Sequence, residues 1–342
     1  MMNEIGVGLV GFGLGGRVFH APFVRATEGM ALRAVVSSDP AKVHQHAPDV
    51  TVVPDIGALL ARPDIDLIIV SSPDALHAEH AIQALGAGKH VLVDKPFATS
   101  LSDARLVAEA AHRTGRMLTV FQNRRWDADY LTLKRLIASG RLGRIVHFES
   151  HFDRWRPQAA DVWKEAREGG SWFDLGPHLV DQAIHLFGLP EAVTADVATM
   201  RAGAPAPDWF HVILHYPDHR AILHSSKLAA ANALRFAVHG TGGSWIKHGL
   251  DTQEAAIAGG ARPGDEGLGI DPEEGLYTPA EDVARSETVA NERGDYREFW
   301  RALASAVRGA GPNPVPPEQA LAVMEVLHAG LASSARGMTV TL

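Results

Sequence analysis

Val10-Gly11-Phe12-Gly13-Leu14-Gly15-Gly16-Arg17 is the stretch whose reading decides the fold. It places glycines at G-x-G-x-x-G spacing directly behind the apolar run Ile5–Val10 and ahead of a segment, Arg17–Thr27, that can carry a helix. In that setting each glycine has a task. Gly11 permits a tight turn, Gly13 lets the backbone approach a pyrophosphate, and Gly16 lets the helix pack closely on the strand with its N-terminus aimed at the phosphates. Outside that setting the same glycines make only a strand-to-helix turn.

The downstream chain supplies the setting. Leu32–Val36, Ile65–Ser71, His90–Val93 and Met117–Phe121 are further apolar runs, with helical stretches Leu76–Ala87 and Ser102–Thr114 between them. Alternation of this kind predicts a doubly wound parallel sheet, an α/β Rossmann domain for a dinucleotide over residues 1–122. After Gln122 the texture changes. Arg144–Phe152, Ala192–Thr199, Trp209–Tyr216, Arg220–Ser225 and Leu234–Gly240 read as strands without helices between several of them, which predicts an α+β domain with a mostly antiparallel sheet over residues 123–342. Ala258–Glu274 reads as a long exposed loop, and Tyr296–Arg308 and Pro317–Ser334 as helices.

Composition narrows the partners. The 342 residues are 46% hydrophobic and 21% charged, as in an ordinary globular chain of about two domains. A formal charge of −8 offers no basic surface for nucleic acid or an anionic membrane. With no cysteine, thiolate catalysis and disulfides are excluded, and no apolar run reaches the roughly 20 residues of a membrane-spanning helix. The glycine-broken start, Ile5 to Leu14, does not read as a signal-peptide core. A soluble, cytoplasmic protein is expected.

Cofactor type is read at the end of the second strand, here Val36-Ser37-Ser38-Asp39. Ser37 leaves room for a 2′-phosphate, Ser38 can donate to it, and Lys42 lies one helical turn away with a positive charge, so NADP(H) is favoured over NAD(H). Asp39 argues the other way, because a carboxylate repels a phosphate.

Two clusters carry acid–base chemistry. Asp94-Lys95-Pro96 places Lys95 at the carboxyl end of the fourth predicted strand, where open α/β sheets bind ligands. In the second domain, Asp174, His178, Asp181 and His185 share helical spacing, with Pro177 read as the helix start. Histidine carries protons near neutral pH and a carboxylate can fix its tautomer, although a chain with 18 histidines also buries some for packing alone. Asn123, Arg124, Arg125 and Trp126, with Arg154 and Trp163, are residue types that suit a polyhydroxylated ligand; an interdomain ion-pair patch is the plainer reading of the same residues.

GFGLGGR, SSPDALHAEHAIQALGAGKHVLVDKP and GGSWFDLGPHLVDQAIHLFG, in this order, resemble the Gfo/Idh/MocA family of sugar and cyclitol oxidoreductases over nearly the whole chain. NRRWDADYLTLKRLIASG, the RWRP segment and VTADV look most like the branch containing NADP-dependent scyllo-inositol dehydrogenase. The resemblance implies that Lys95 hydrogen-bonds the reacting hydroxyl, His178 is the principal acid–base residue, and Asp174 orients substrate and histidine. It extends the cofactor contacts to Phe12, Leu14, Arg17, Ser72, Pro73, His77, Lys95 and Pro96, with Lys95-Pro96 in a cis peptide. Asp94 replaces the family's glutamate, one methylene shorter. A small polyol or sugar substrate, an open C-terminal sheet and a homodimer or homotetramer are implied as well. The alternatives are a cofactor-binding sensor without turnover, NAD-dependent glycoside hydrolysis, and metal-assisted hydrolysis by Asp174, His178, Asp181 and His185.

Overall fold

The computed structural model describes residues 4–159 and 169–342. The chain divides into two compact units: the first comprises Met1–Asn123, Glu254–Leu268 and Asp295–Leu321, the second Arg124–Gln253, Gly269–Gly294 and Ala322–Leu342. The first crossing falls one residue from the 122/123 cut expected from sequence, but two later segments return to the first unit.

In the first unit, β1 (Ile5–Val10), β2 (Met30–Val36), β3 (Thr51–Val53), β4 (Leu67–Val70), β5 (His90–Val93) and β6 (Leu118–Val120) form one six-stranded sheet in the order β3-β2-β1-β4-β5-β6. Every pairing is parallel. The central strands are covered on both faces, which is why β4 is four fully buried aliphatic residues with no alternation. Helices α1 (Ala21–Ala26), α2 (Pro40–His46), α3 (Ile56–Leu60), α4 (His77–Gly86) and α5 (Leu101–Thr114) connect the strands. Their starts follow local chemistry: Asp39, Asp55 and Ser100 accept the N–H of Lys42, Ala58 and Asp103 and so satisfy amides that the first turn leaves unpaired.

The expected helix Arg17–Thr27 is more irregular than its sequence suggested. Gly15–His20 is a π turn, closed by the N–H of Ala21 on the Gly16 carbonyl, and α1 follows it. Pro22 has no N–H to give to the carbonyl four residues back, so the regular ladder cannot run through this point.

The second unit opens with α6 (Ala128–Ala138) and β7 (Ile145–His151), then α7 (Gly170–Phe187), β8 (Ala192–Ala198), β9 (Trp209–His215), β10 (Arg220–Ser226), β11 (Leu234–Gly240) and β12 (Gly243–His248). After α8 (Gln253–Ala258), β13 (Gly275–Pro279) and β14 (Glu287–Val289) extend the sheet; α9 (Arg297–Val307), α10 (Pro317–Arg336) and β15 (Val340–Thr341) complete the chain. The nine-stranded order is β14-β13-β12-β11-β7-β10-β9-β8-β15. Among the described residues only the β7–β10 pairing is parallel, so the sheet is mixed and mostly antiparallel. Its strands alternate: Phe210, Val212 and Leu214 of β9 are buried, while Trp209, His211, Ile213 and His215 point to the other face and are half-buried. On the buried side Trp172 of α7 meets Phe210 edge to face at 5.0 Å and donates its indole N–H to the Leu327 carbonyl at 2.9 Å. No helix among the described residues is long and apolar enough to cross a membrane.

Candidate active site

The chemistry-bearing residues fall into two groups, one in each unit. In the first unit they converge at the carboxyl edge of the parallel sheet. Gly11 has φ +95° and a Cβ on it would stand 2.5 Å from the Ser71 carbonyl oxygen, so both the turn and the close passage of β4 need glycine. A Cβ on Gly16 would meet the Gly11 carbonyl oxygen at 2.3 Å and Leu9 at 3.4 Å, the close packing on the strand that its position in the glycine spacing required. Above Gly13 there is open space within 4 Å, and the neighbouring Leu14 is half exposed. The turn therefore fits a pyrophosphate laid along its backbone, with no side chain to displace. Phe12 is buried beneath, 6.3 Å from the ring of His46.

Beneath Gly15 lies a cluster that the sequence pattern did not assemble. Asp94 receives Ser71 Oγ at 3.1 Å and the Lys95 N–H at 2.8 Å, and lies 3.1 Å from Nε2 of the fully buried His20. Burial opposes ionisation of this carboxyl, but the His20 ring, then His77 and Lys95, pull it well below the ordinary carboxylate range. Asp94 thus holds the backbone from which Lys95 projects. His20 belongs to the π turn and packs on Phe121 and Trp300 at 4.6 and 5.7 Å. No local pattern in the sequence marks this role, because the partner lies 74 positions away.

Lys95–Pro96 is cis. His77, almost fully buried at the start of α4, stands with Nδ1 2.8 Å from the Pro96 carbonyl oxygen and Nε2 2.9 Å from that of Ser72, clamping the segments after β4 and β5 together. Ser72 and Pro73 follow β4 at this edge, and His80 Nδ1 lies 3.0 Å from Ser72 Oγ. At the end of β2, Ser37 Oγ accepts the Asp39 N–H at 3.1 Å, and Ser38 and Lys42 are exposed. The Asp39 carboxylate is bound to the Lys42 N–H at 3.0 Å as the cap of α2. Arg17 Nη1 lies 3.4 Å from His46 Nε2, which brings a guanidinium beside the helix that carries Lys42.

In the second unit the site residues lie on α7. The expected helix start at Pro177 is corrected: α7 begins at Gly170 and Pro177 lies inside it. Proline is tolerated there because Gly176, without a Cβ, relieves the crowding that proline imposes on the residue before it; a Cβ at Gly176 would also strike Trp172 at 2.6 Å. The consequence favours the chemistry, since Asp174 and His178 become residues one turn apart on a single continuous helix, half-buried and buried respectively.

The neighbours of that helix are structural ion pairs. Asp181 takes Nε and Nη2 of Arg125 at 2.8 and 2.6 Å, a bidentate pair with both side chains buried. Arg124 pairs with Asp127 at 3.2 Å, and it and Arg154 lie over the Phe152 ring at 4.6 and 4.7 Å. Asn123 is buried, Trp126 accepts Gln253 Nε2 at its carbonyl at 3.1 Å, and Trp163 lies outside the described residues. Below them sits Arg235, 1% exposed, donating Nε to Asp129 at 2.7 Å, Nη1 to Ser150 Oγ at 2.8 Å and Nη2 to Gln182 Oε1 at 2.9 Å. Gln182 in turn donates to the Arg124 carbonyl at 2.9 Å, so this network fixes α7 against α6 and the sheet. A lone arginine in the strand Leu234–Gly240 was its only trace in the sequence.

His185 ends the α7 row, with Nδ1 2.8 Å from the Tyr130 hydroxyl. Burial, then the Arg125 charge, pulls its pKa down to about 4. The folded state therefore binds fewer protons than the unfolded chain between about pH 4 and 6.5, and this part of the stability is lost as pH falls through that window. His185→Gln is expected to flatten the Tm-against-pH curve between those limits; an unchanged slope would remove His185 from the account. Among the described residues, the metal-competent group is His151, Asp153 and His224, on the sheet, and not the Asp174–His185 row.

A six-stranded parallel sheet with this glycine turn at its carboxyl edge defines a dinucleotide-binding Rossmann unit. The comparisons with known proteins agree. Residues 5–122 match the oxidoreductase family model described as an NAD-binding Rossmann fold, and residues 134–342 match that of its C-terminal alpha/beta domain. The chain is 47% identical to the uncharacterized oxidoreductase YdgJ of Escherichia coli K12 over 100% of both chains. It is 36% identical to the scyllo-inositol 2-dehydrogenase (NADP(+)) IolW of Bacillus subtilis 168, over 100% of this chain and 97% of that one. The solved structure of a Yersinia pestis protein superposes with a TM-score of 0.96 at 44% identity, covering 100% of this chain and 98% of that chain. The chain belongs to the Gfo/Idh/MocA oxidoreductase family and is an oxidoreductase with an NAD(P)-binding Rossmann domain.

Proposed function

We propose that this protein interconverts a secondary hydroxyl and a ketone on a cyclic polyol or sugar, with scyllo-inositol and its 2-keto form as the leading pair and NADP(H) as cofactor. The observation that carries the reading is the anchoring of Lys95: Asp94 takes its N–H at the carboxyl edge of the sheet that bears the glycine turn. The full-length relation to IolW supports the choice of substrate.

The glycine turn with Phe12, Leu14 and Arg17, the Ser37–Lys42 segment, and Ser72, Pro73, His77 and Pro96 would hold the dinucleotide. Bound nicotinamide supplies hydride exchange. In the oxidative direction His178 takes the hydroxyl proton, Asp174 orients the imidazole, and the Lys95 ammonium hydrogen-bonds the substrate oxygen as negative charge develops on it. Arg154, Arg124, Arg125, Asn123, Trp126 and Trp163 are the candidate substrate contacts, with Arg125 also serving Asp181.

The test is a steady-state screen of inositols, aldoses and their keto forms against NADP and NAD, read by nicotinamide absorbance. Turnover of a cyclic polyol is the expected result. Cofactor binding without turnover of any polyol or sugar would replace this reading by a sensor role.

For the cofactor, commitment of Asp39 to the α2 cap and the approach of Arg17 to α2 support a 2′-phosphate site. Ser37→Asp, which introduces a second carboxylate there, is expected to lower kcat/KM for NADP relative to NAD by about tenfold or more. A ratio that does not move would place the 2′-phosphate elsewhere.

A further inference from the structure

The face of the nine-stranded sheet that turns away from Trp172 and α7 carries a histidine and carboxylate cluster with no part in the dehydrogenase chemistry. His151 of β7 and His224 of β10 are register partners in the one parallel pairing of that sheet, so their rings stand side by side with centroids 4.7 Å apart. Asp153 lies two residues beyond His151, and the chain there is pinned: the Phe152 and Arg154 N–H groups donate to the His224 and Ser226 carbonyls at 2.9 Å each, and the Ser226 N–H donates to Asp153 Oδ1 at 2.7 Å. One ligand atom from each of His151, Asp153 and His224 lies within 4.8 Å of the other two.

We infer that His151, Asp153 and His224 form a binding site for a divalent late first-row transition-metal ion of the zinc, cobalt and nickel class. Two imidazoles and one carboxylate suit these ions better than magnesium or calcium, which take oxygen ligands. With metal–ligand bonds of about 2.0–2.2 Å, ligand atoms in a tetrahedral site stand roughly 3.3 Å apart. His151 Nδ1 is 3.0 Å from Asp153 Oδ2 and His224 Nε2 is 3.6 Å from Asp153 Oδ1, close to the spacing that such a site needs.

The most telling contact lies behind the set. His151 Nε2 is 2.7 Å from Glu149 Oε1, so with Nδ1 on the metal the opposite N–H is held by a carboxylate, the arrangement that fixes the tautomer of metal-bound histidine. His147 Nε2, 3.3 Å from Glu149 Oε2, steadies that carboxylate in turn. Side-chain exposures of 14%, 7% and 16% for His151, Asp153 and His224 leave a path for the ion, and three protein ligands leave a position for water. Trp209 meets the His224 ring edge-on at 5.4 Å and provides a local reporter.

The experiment uses the full chain without an affinity tag, stripped with chelator. Zn²⁺ is titrated by calorimetry, Co²⁺ by its visible absorption, and Ni²⁺ by quenching of Trp209, with Trp209→Phe as the control. One equivalent is expected per chain. His151→Gln and His224→Gln should each abolish the Co²⁺ spectrum, Glu149→Gln should weaken binding by about 10–100-fold, and polyol turnover should be unchanged. Failure of the wild-type protein to bind one equivalent overturns the site, whatever the variants do. Binding undiminished in both histidine variants overturns it too, by assigning the ion to other histidines.

Discussion

Lys95→Met is expected to lower kcat by roughly 10²–10³-fold while leaving the dissociation constant for the dinucleotide within a few-fold of wild type. In the proposed mechanism the ammonium meets charge as it develops on the substrate oxygen, so its removal should cost the transition state more than the ground state. His178→Ala should lower kcat by about 10²–10⁴-fold and remove the limb of the pH–rate profile that reports the proton acceptor. The two losses should not add fully, because both residues are proposed to act in the same step. Near wild-type turnover in either variant, on a substrate that the enzyme demonstrably uses, would withdraw the roles given to Lys95 and His178. Asp174→Asn separates orientation from proton transfer: the expected result is a smaller loss of kcat with the pH limb retained.

The second large effect concerns stability. Arg235→Met leaves Asp129, which is fully buried, without the guanidinium that it faces at 2.7 Å. Breaking a buried pair from one side costs about 3–5 kcal/mol, because the remaining charge stays desolvated. Asp251, already pushed up to about 6 by burial and by the charge of Asp129, shows how confined that region is. A fall in Tm of order 10 °C is expected. Arg235→Met combined with Asp129→Leu should recover most of it, since exchanging both partners for apolar groups is often close to neutral. A single substitution that costs under about 1 kcal/mol would mean that the network is not the anchor of α7. Because Gln182 hangs from the same arginine, the single variant should also lower kcat through misplacement of His178, with dinucleotide affinity retained.

One-faced alternation made strands such as β7, β9 and β10 legible in the sequence, and burial on both faces did the same for another set. β1, β4 and β5 are enclosed in this way, so their composition announces them without reference to any partner. β3, three residues at the sheet edge, buries too little to leave a pattern, and β12 to β15 were missed because each owes its place to a neighbouring strand. Pro177 misled because a proline marks a helix start in most settings; only Gly176 before it and the Trp172 packing let the helix run through. Among the candidate site residues, those joined by contiguous motifs stand out in the sequence: Gly11 to Gly16, Lys95 with Pro96, Asp174 with His178. The residues that hold them do not. His20 acts on Asp94 across 74 positions and Arg235 on Asp129 across 106, and nothing local in either stretch encodes its partner. Asp39, whose charge speaks against NADP, also caps α2 through its contact with the Lys42 N–H.

The first unit takes its last segment, Asp295–Leu321, from near the end of the chain. Phe299 and Trp300 of α9 are fully buried there, Trp300 against His20, Phe23 and Phe121, while Asn313 donates to the Leu118 carbonyl at 2.7 Å. During synthesis the nucleotide-binding unit therefore waits, with an uncovered apolar flank, while β7 to β14 are translated. At about 5–20 residues per second that interval lasts roughly 10–40 s, long enough for chaperone engagement to matter. A truncation after residue 122, sensible on sequence grounds, would make that wait permanent.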